Sequence, residues 1–442
     1  MNRRTLGALL GAIGLTLPWF LYWLSTFVTD RTVEGLSTNL TVLISGLSVL
    51  GAAFLLAWAA ETAERDVPRP FAIAVLAVLA VAPEYSVDAL YAWNAGAFAG
   101  TARGIEAGNL AVANMTGANR ILIGIGWAGI ALFTIYRHGA ASDPSVENRS
   151  GFLADVVTVQ RDLALDIVFL LAATLWAFFV PLFGGIDALD MVILVGLYVT
   201  YILIVLRGDI EPEEEHVGVP AALQAQPKWR RVLTVLLLFG FSGLLIFTAV
   251  EPFAHGLESI GTAIGVPSFF MIQWIAPLAS ESPELIVVVY LVNKARSTAG
   301  FNALISSKLN QWTLLIGTLV VVYSIASGAY GVLPFDAKQG AEIWLTAAQS
   351  FFALGILSNF EISVREALVL LVLFVSQVVL EFLLIREVLT LPVDSHGLLL
   401  VYTGVYIVLG TALFVGRRAA VRALFARAWQ TMRAALPRSV TA

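Results

Sequence analysis

The sequence consists largely of long, uninterrupted apolar runs, each about as long as a membrane is thick. The hydrocarbon core of a bilayer is about 30 Å across and takes roughly 20 helical residues, whereas a barrel strand would alternate in polarity over about 10 residues. The chain is 59% hydrophobic and only 13% charged, against about 25% charged residues in soluble domains. The sequence therefore predicts an all-α integral membrane protein.

We predict about twelve transmembrane helices from these runs. Their approximate limits are residues 5–24, 40–60, 71–95, 108–136, 163–183, 186–206, 230–250, 264–292, 302–326, 342–358, 365–385 and 398–416. The arginine and lysine residues support this number, because they concentrate in the even-numbered connections and the C-terminal tail. Under the positive-inside rule, this alternation predicts cytoplasmic termini and a multi-pass protein of the inner or plasma membrane.

The composition excludes several classes of protein. The sequence contains no cysteine, which excludes disulfides, thiol catalysis and iron–sulfur clusters. Its four histidines fall in polar connections far apart in sequence, at His138, His216, His255 and His396. We therefore expect no histidine metal centre, no haem and no other cofactor. A formal net charge of −5 gives no indication of nucleic-acid binding, so the expected partners are the lipid bilayer and inorganic cations.

Two of the apolar runs are interrupted in the same way. The third span contains Pro83 followed by Glu84, and the eighth contains Pro283 followed by Glu284. Proline removes a backbone donor, and a glutamate at membrane depth is costly, so each pair predicts a broken helix with a functional carboxylate. The two spans are five helices apart, and because this offset is odd, the second copy runs in the opposite direction. The pattern predicts an inverted repeat, in which transporters bind substrate near the midplane.

Each broken helix is followed by a helix rich in small residues, amides and hydroxyls. These polar residues are Asn109, Asn114, Thr116 and Asn119 in the first copy and Asn302, Ser306, Ser307 and Asn310 in the second. Small residues let helices approach closely, and amide and hydroxyl oxygens are hard donors that suit cations such as Ca²⁺.

The predicted architecture is an inverted core of five plus five helices with one extra helix at each end. The predicted limits are 1–30 for the extra N-terminal helix, 36–206 for the first repeat half (α-repeat about 71–136), 207–229 for an acidic cytoplasmic linker, 230–386 for the second half (α-repeat about 264–326), and 387–442 for the extra C-terminal helix and a basic cytoplasmic tail. The linker is expected to be a solvated connection, with a regulatory cation site as the alternative.

These motifs resemble those of the Ca²⁺/cation antiporter superfamily, the group of sodium/calcium exchangers. The run from Ala113 to Asn119 is similar to the second element of the family's first repeat, and the run from Ser280 to Glu284 to the first element of its second repeat. The resemblance implies the ten-helix core described above and implies that Glu84 and Glu284 are the central metal-binding residues. It also implies that Ser280 is a hydroxyl ligand.

The later helix of the second repeat supplies further candidate ligands. The resemblance assigns Ser306 and Asn310 to cation binding, opposite Ala118 and Leu122 of the first repeat. A second alignment places Asn119 opposite Asn310 and matches Gly126 with Gly317 equally well. With the neighbouring residues included, the candidate cation-binding set is Glu84, Glu284, Glu281, Ser280, Ser306, Asn310, Asn114 and Asn119.

The sequence departs from the family pattern at several ligand positions. Small or apolar residues replace hydroxyls at Ala80, Val81 and Ala118, and Glu281 replaces a hydroxyl in the second repeat. The family's Na⁺ sites are therefore poorly reproduced, which bears on Na⁺ as a counter-ion.

Two basic residues stand where the family is normally uncharged, at Arg120 and Lys308. A charge at the bilayer centre costs at least about 2.5–3.5 kcal/mol on insertion scales, so each should pair with an acid or reach water. For Arg120 we predict pairing with Glu84 or with Asp88, one helical turn further on. For Lys308, extension of the side chain to the aqueous surface is weighed equally with pairing.

The sequence thus predicts a secondary-active antiporter, not an enzyme, that exchanges Ca²⁺ or a similar cation for Na⁺ or H⁺ by alternating access. Carboxylates crowded at low dielectric repel each other, so protons and a divalent cation compete for them. Two alternatives remain open: a relative of the fold that has lost transport and acts as a sensor or assembly subunit, and a proton-coupled carrier of another solute.

Overall fold

The computed structural model describes residues 3–29, 36–66, 82–137, 143–207, 218–390 and 392–435. Residues 71–81, which form the first part of the predicted third span, lie outside these ranges, as do Ala80, Val81 and residues 208–217 of the acidic linker. His138 and His216 also lie outside them.

The described residues are mostly helical. The helices are α1 (Arg3–Thr29), α2 (Thr38–Ala63), α3 (Ala82–Ala97), α4 (Ala102–Ile121), α5 (Ala128–Arg137), α6 (Ala164–Ala177), α7 (Ala188–Arg207), α8 (Val219–Gln224), α9 (Lys228–Ala263), α10 (Ser268–Asn293), α11 (Ser297–Asn310), α12 (Ile316–Ser327), α13 (Ala337–Leu357), α14 (Val364–Ile385), α15 (Ser395–Gly416) and α16 (Arg418–Ala435). Two π-helical segments, Leu122–Trp127 and Gln311–Leu315, join α4 to α5 and α11 to α12. Short 3₁₀ turns, Arg161–Leu163 and Val180–Phe183, flank α6.

Within the described residues, ten helices are long and apolar enough to cross a membrane, and eleven if the two parts of α10 count as one bent span. Each agrees with one of the predicted spans, although several ends differ. Helix α9 has 36 residues and continues through Pro252 to Ala263, whereas the sequence pattern suggested an end at residue 250. Helix α13 begins at Ala337, behind the N-cap Asp336, five residues before the predicted start of the tenth span.

The chain divides into two compact units, and α3 and α10 each contribute to both. The first unit comprises residues Met1–Tyr91 and Glu211–Pro283. In it, α2 packs against α1, α8 and α9. Arg231 at the start of α9 donates to both carboxylate oxygens of Asp66, at 2.5 Å each, just after α2 ends.

The second unit comprises residues Ala92–Ile210 and Glu284–Ala442. Its helices pack in two matching groups: α4 and α5 pack against α13 and α14, and α11 and α12 pack against α6 and α7. Each π-helical segment contacts the same partners as its neighbouring helices. The predicted division into repeat halves is by sequence symmetry, a different criterion from compactness, and it stays a prediction.

Five short strands join the connections between spans in the second unit. They are β1 (Val146–Glu147), β2 (Val156–Thr158), β3 (Gly185–Ile186), β4 (Leu333–Pro334) and β5 (Glu361–Ser363). An antiparallel sheet in the order β1–β2–β5 links the fourth connection to the tenth, and β3 pairs antiparallel with β4 to link the fifth to the ninth. Even-numbered connections therefore pair with even and odd with odd, as the twelve-span topology requires.

Candidate ion-binding site

In the first unit, the predicted site residues lie on α3 and α10. Glu84 and Asp88 are one helical turn apart on α3 and are 2% and 0% exposed. On α10, Ser280 and Glu281 are also buried, and the Ser280 hydroxyl donates to the Pro277 carbonyl at 3.3 Å. Three carboxylates thus lie inside the protein in segments at membrane depth, where ionisable groups usually mark an ion pathway.

In the second unit, Glu284 lies on the last part of α10. Ser307 of α11 donates a hydrogen bond from its hydroxyl to the Glu284 carboxylate at 3.1 Å. Sequence analysis named Ser306 as the ligand, but Ser307 is the serine that the structure shows against Glu284.

Ser306 instead contacts an acid that sequence analysis did not select. Its hydroxyl donates to Asp166 Oδ1 at 3.0 Å, and the Tyr201 hydroxyl donates to the same oxygen at 2.8 Å. Asp166 lies in the first turn of α6 and is 7% exposed. The available sequence signal was an aspartate three residues inside a predicted span, a position that looks interfacial until the neighbouring helices cover it.

The three candidate asparagines are buried in the second unit. Asn114 and Asn119 are fully buried on α4, and Asn310 is 4% exposed at the end of α11. The Asn119 amide donates to the Met115 carbonyl at 2.9 Å, which leaves its carbonyl oxygen free to accept from Lys308.

Lys308 is fully buried, and its Nζ donates to Asn119 Oδ1 at 2.8 Å. The ammonium group also lies 4.5 Å from the centroid of the Trp312 ring, a cation–π contact. The predicted alternative that Lys308 extends to the aqueous surface is wrong, because α11 turns the side chain towards α4 inside the unit.

Arg120 is 1% exposed and forms an ion pair with Glu342 of α13, Nη1 to Oε2, at 2.7 Å. Arg120 also donates to the amide oxygen of Gln377, whose Nε2 donates to Glu381 at 2.9 Å. Glu381 in turn lies 3.1 Å from the Lys338 ammonium. Sequence analysis missed these partners because Glu342 was taken as the first residue of its span; pairing of Arg120 with Glu84 or Asp88 stays a prediction.

The two repeats use equivalent positions for these acids. Asp166 and Glu342 are 176 residues apart, and so are their neighbours Tyr201 and Gln377. The π-helical segments end 188 residues apart, at Trp127 and Leu315. This spacing agrees with the alignment in which Arg120 and Lys308 are symmetry mates. Of the two equivalent acids, one is neutralised by an arginine and the other is held by two hydroxyls.

The candidate site offers oxygen ligands of several kinds. Among the described residues, no three acidic or histidine side chains gather closely enough to hold a metal ion by themselves. A cation bound at Glu84 or Glu284 would therefore need neutral oxygens as well, such as those of Ser280, Asn114 and Asn310, which is the mixed shell that Ca²⁺ accepts.

Buried carboxylates on interrupted membrane helices define a secondary transporter rather than an enzyme. Residues 36–207 and 234–383 match the profile of the family described as sodium/calcium exchanger protein. The chain belongs to this family, and the predicted all-α membrane fold with an inverted-repeat core is confirmed.

Two solved structures are similar to this chain. An H⁺/Ca²⁺ exchanger named CAX is 39% identical, with a TM-score of 0.83 over 98% of this chain and 99% of that one. A Ca²⁺/H⁺ antiporter protein, YfkE, is 14% identical, with a TM-score of 0.54 over 87% of this chain and 100% of that one, and shows the fold alone. A comparison with curated protein sequences gives no significant match.

Proposed function

We propose that this protein exchanges Ca²⁺ for protons across the membrane by alternating access, with the divalent cation bound by Glu84 and Glu284. The observation that carries the proposal is the burial of Glu84 and Glu281 on broken helices that belong to a matched pair of repeats. Carboxylates in such an environment gain from a bound cation or a bound proton, so the two ions compete for the same oxygens.

The choice of Ca²⁺ rests on the ligand chemistry. All the candidate side chains present oxygen, and the chain contains no cysteine, so the site suits a hard cation. Glu281, Ser280, Ser306, Asn310, Asn114 and Asn119 are the proposed source of the remaining ligands. The 39% identity to an H⁺/Ca²⁺ exchanger supports the same choice.

Protons are favoured over Na⁺ as counter-ion because of the residues that replace hydroxyls. Ala118 offers no oxygen at the position equivalent to Ser306. Nearby, the buried Lys308 ammonium already occupies the side-chain oxygen of Asn119. A fixed positive charge beside this oxygen disfavours a bound Na⁺ by direct repulsion.

Transport in proteoliposomes tests the proposed cation site. We expect Glu84→Gln and Glu284→Gln each to reduce Ca²⁺ exchange by about two orders of magnitude, because Ca²⁺ affinity depends on the number of charged ligands. Glu251→Gln is the matched control, since Glu251 is an exposed glutamate on α9. Unchanged exchange in both site variants would place the cation elsewhere.

Separate ion gradients distinguish the counter-ions. A proton gradient without Na⁺ should drive Ca²⁺ uptake, and apparent Ca²⁺ affinity should fall by up to about tenfold per pH unit on acidification for each competing proton. Uptake driven by a Na⁺ gradient alone would contradict the choice of protons. Cation binding without any exchange would favour the transport-inactive relative, and pH-dependent uptake indifferent to Ca²⁺ would favour a carrier of another solute.

A further inference from the structure

The last helix of the chain, α16, has two different exposed faces that transport does not explain. Leu424, Ala428 and Ala435 are buried, and the helix packs against α6 and α7. One exposed face carries positions spaced by four, three, four and four residues: Arg418, Arg422, Phe425, Trp429 and Arg433. At the same spacing one residue further on, the other face carries Ala419, Ala423, Ala426, Gln430 and Ala434.

The first of these faces combines positive charge with large exposed rings. Phe425 is 44% exposed and Trp429 is 51% exposed. The Arg433 guanidinium lies 5.2 Å from the centroid of the Trp429 ring. The helix contains four arginines and no acidic residue, so the charge of this basic–aromatic face is not neutralised within its own helix.

The connections of α16 place it at the level where spans leave the bilayer. The membrane-spanning helix α15 ends at Gly416, and α16 begins two residues later at Arg418. Between them, Arg417 donates to the Ile356 carbonyl at 2.6 Å and bonds the carboxylate of Glu366. These two residues lie at the end of α13 and in the first turn of α14, so the junction is tied to the ends of two further spans.

We propose that the basic–aromatic face of α16 binds the anionic headgroups of lipids at the membrane surface. Tryptophan and phenylalanine partition into the interface, and basic residues beside a transmembrane helix are attracted to anionic lipid. Because α16 also packs on α6 and α7, this face forms a headgroup site bordered by protein. The proposal does not depend on the transported ion.

The chain contains no cysteine, so single cysteines can report on each face directly. Phe425→Cys and the matched control Ala426→Cys would carry an environment-sensitive fluorophore in nanodiscs of phosphatidylcholine alone or with 30% phosphatidylglycerol. We expect a blue shift, and quenching by lipids spin-labelled near the headgroup, at position 425 in the discs with phosphatidylglycerol, and little change at position 426.

Charge variants test the electrostatic part. Arg418→Gln, Arg422→Gln and Arg433→Gln should each weaken the phosphatidylglycerol response about fivefold at low salt, and together should abolish it. Arg427→Gln is the control, because Arg427 is exposed but lies off this face. Unchanged melting temperatures would show that the variants fold.

Several outcomes would overturn the proposal. One is a probe at 425 that reports the same environment with and without phosphatidylglycerol. Another is a triple variant that responds like Arg427→Gln. A blue shift in pure phosphatidylcholine together with a doubled particle mass would assign the face to a second copy of the chain instead.

Discussion

The ion pair between Arg120 and Glu342 shows how a costly charge is accommodated at membrane depth. Both side chains are essentially excluded from solvent, at 2% and 0% exposure. Such a pair contributes little net stability compared with apolar residues of the same shape, but removing one partner leaves an uncompensated buried charge.

A double-mutant cycle tests this interpretation. Arg120→Met and Glu342→Met should each lower the free energy of unfolding by about 3–5 kcal/mol, while the double variant should recover much of that loss. Denaturant unfolding in detergent measures all three variants. Additive losses in the double variant would show that the two charges do not compensate each other.

The contact between Asp66 and Arg231 predicts a pH dependence outside the membrane segments. The hydrogen bonds and charge of the Arg231 guanidinium lower the pKa of Asp66 from its ordinary value of 3.8. The contact therefore stabilises the folded state fully above pH 3.8, and this contribution is lost as the pH falls below 3.8 towards the lowered folded pKa.

Thermal melting between pH 5 and pH 3 measures this effect. The melting temperature of the wild type should fall more steeply over this range than that of Asp66→Asn, which cannot lose a charge at this position. Parallel pH profiles for the two proteins would contradict the prediction.

At the scale of elements, the close approach of α4 to β4 depends on a missing side chain. A Cβ added at Gly108 would lie 2.0 Å from the Pro334 carbonyl oxygen, so one backbone would have to move. Gly129 lies in the same predicted span, on α5, with nothing within 4 Å of its added Cβ, and offers a matched comparison.

We expect Gly108→Ala to lower the free energy of unfolding by about 1–3 kcal/mol through overpacking. Gly129→Ala should be neutral or stabilising by up to about 1 kcal/mol, because alanine is the better helix former. Denaturant unfolding in detergent compares them. Equal stability of the two variants would mean that β4 can shift without cost.

The limits of the elements show where sequence reasoning was accurate and where it failed. The apolar runs predicted the spans, because hydrophobic length is a local property. The beginning of α13 was misplaced by five residues, since its first turns are polar and become part of the span through contacts with α4 and α14. That error hid Glu342, and the same reliance on local polarity hid Asp166.

At the scale of the whole molecule, the alternation of basic connections predicts which ends face the cytoplasm. The pairing of β2 with β5 and of β3 with β4 agrees with this parity but does not give its direction. Single-cysteine labelling supplies the direction.

We expect an impermeant maleimide to label Ala329→Cys in intact cells and to label Ser150→Cys only after the membrane is opened. Both positions are exposed, in the ninth and the fourth connection. The absence of native cysteine removes background labelling. The reverse pattern would invert the predicted topology.

The sequence by itself determined the class of fold, the spans and the repeated Pro–Glu motifs, because each depends on hydrophobic length or on a short local pattern. It also selected Glu84, Glu281 and Glu284 as carboxylates at membrane depth. Only the tertiary structure decided the partners: Glu342 for Arg120, Asn119 for Lys308, Ser307 for Glu284 and Asp166 for Ser306. Which polar groups meet depends on how helices far apart in sequence pack and rotate, and no local pattern encodes that choice.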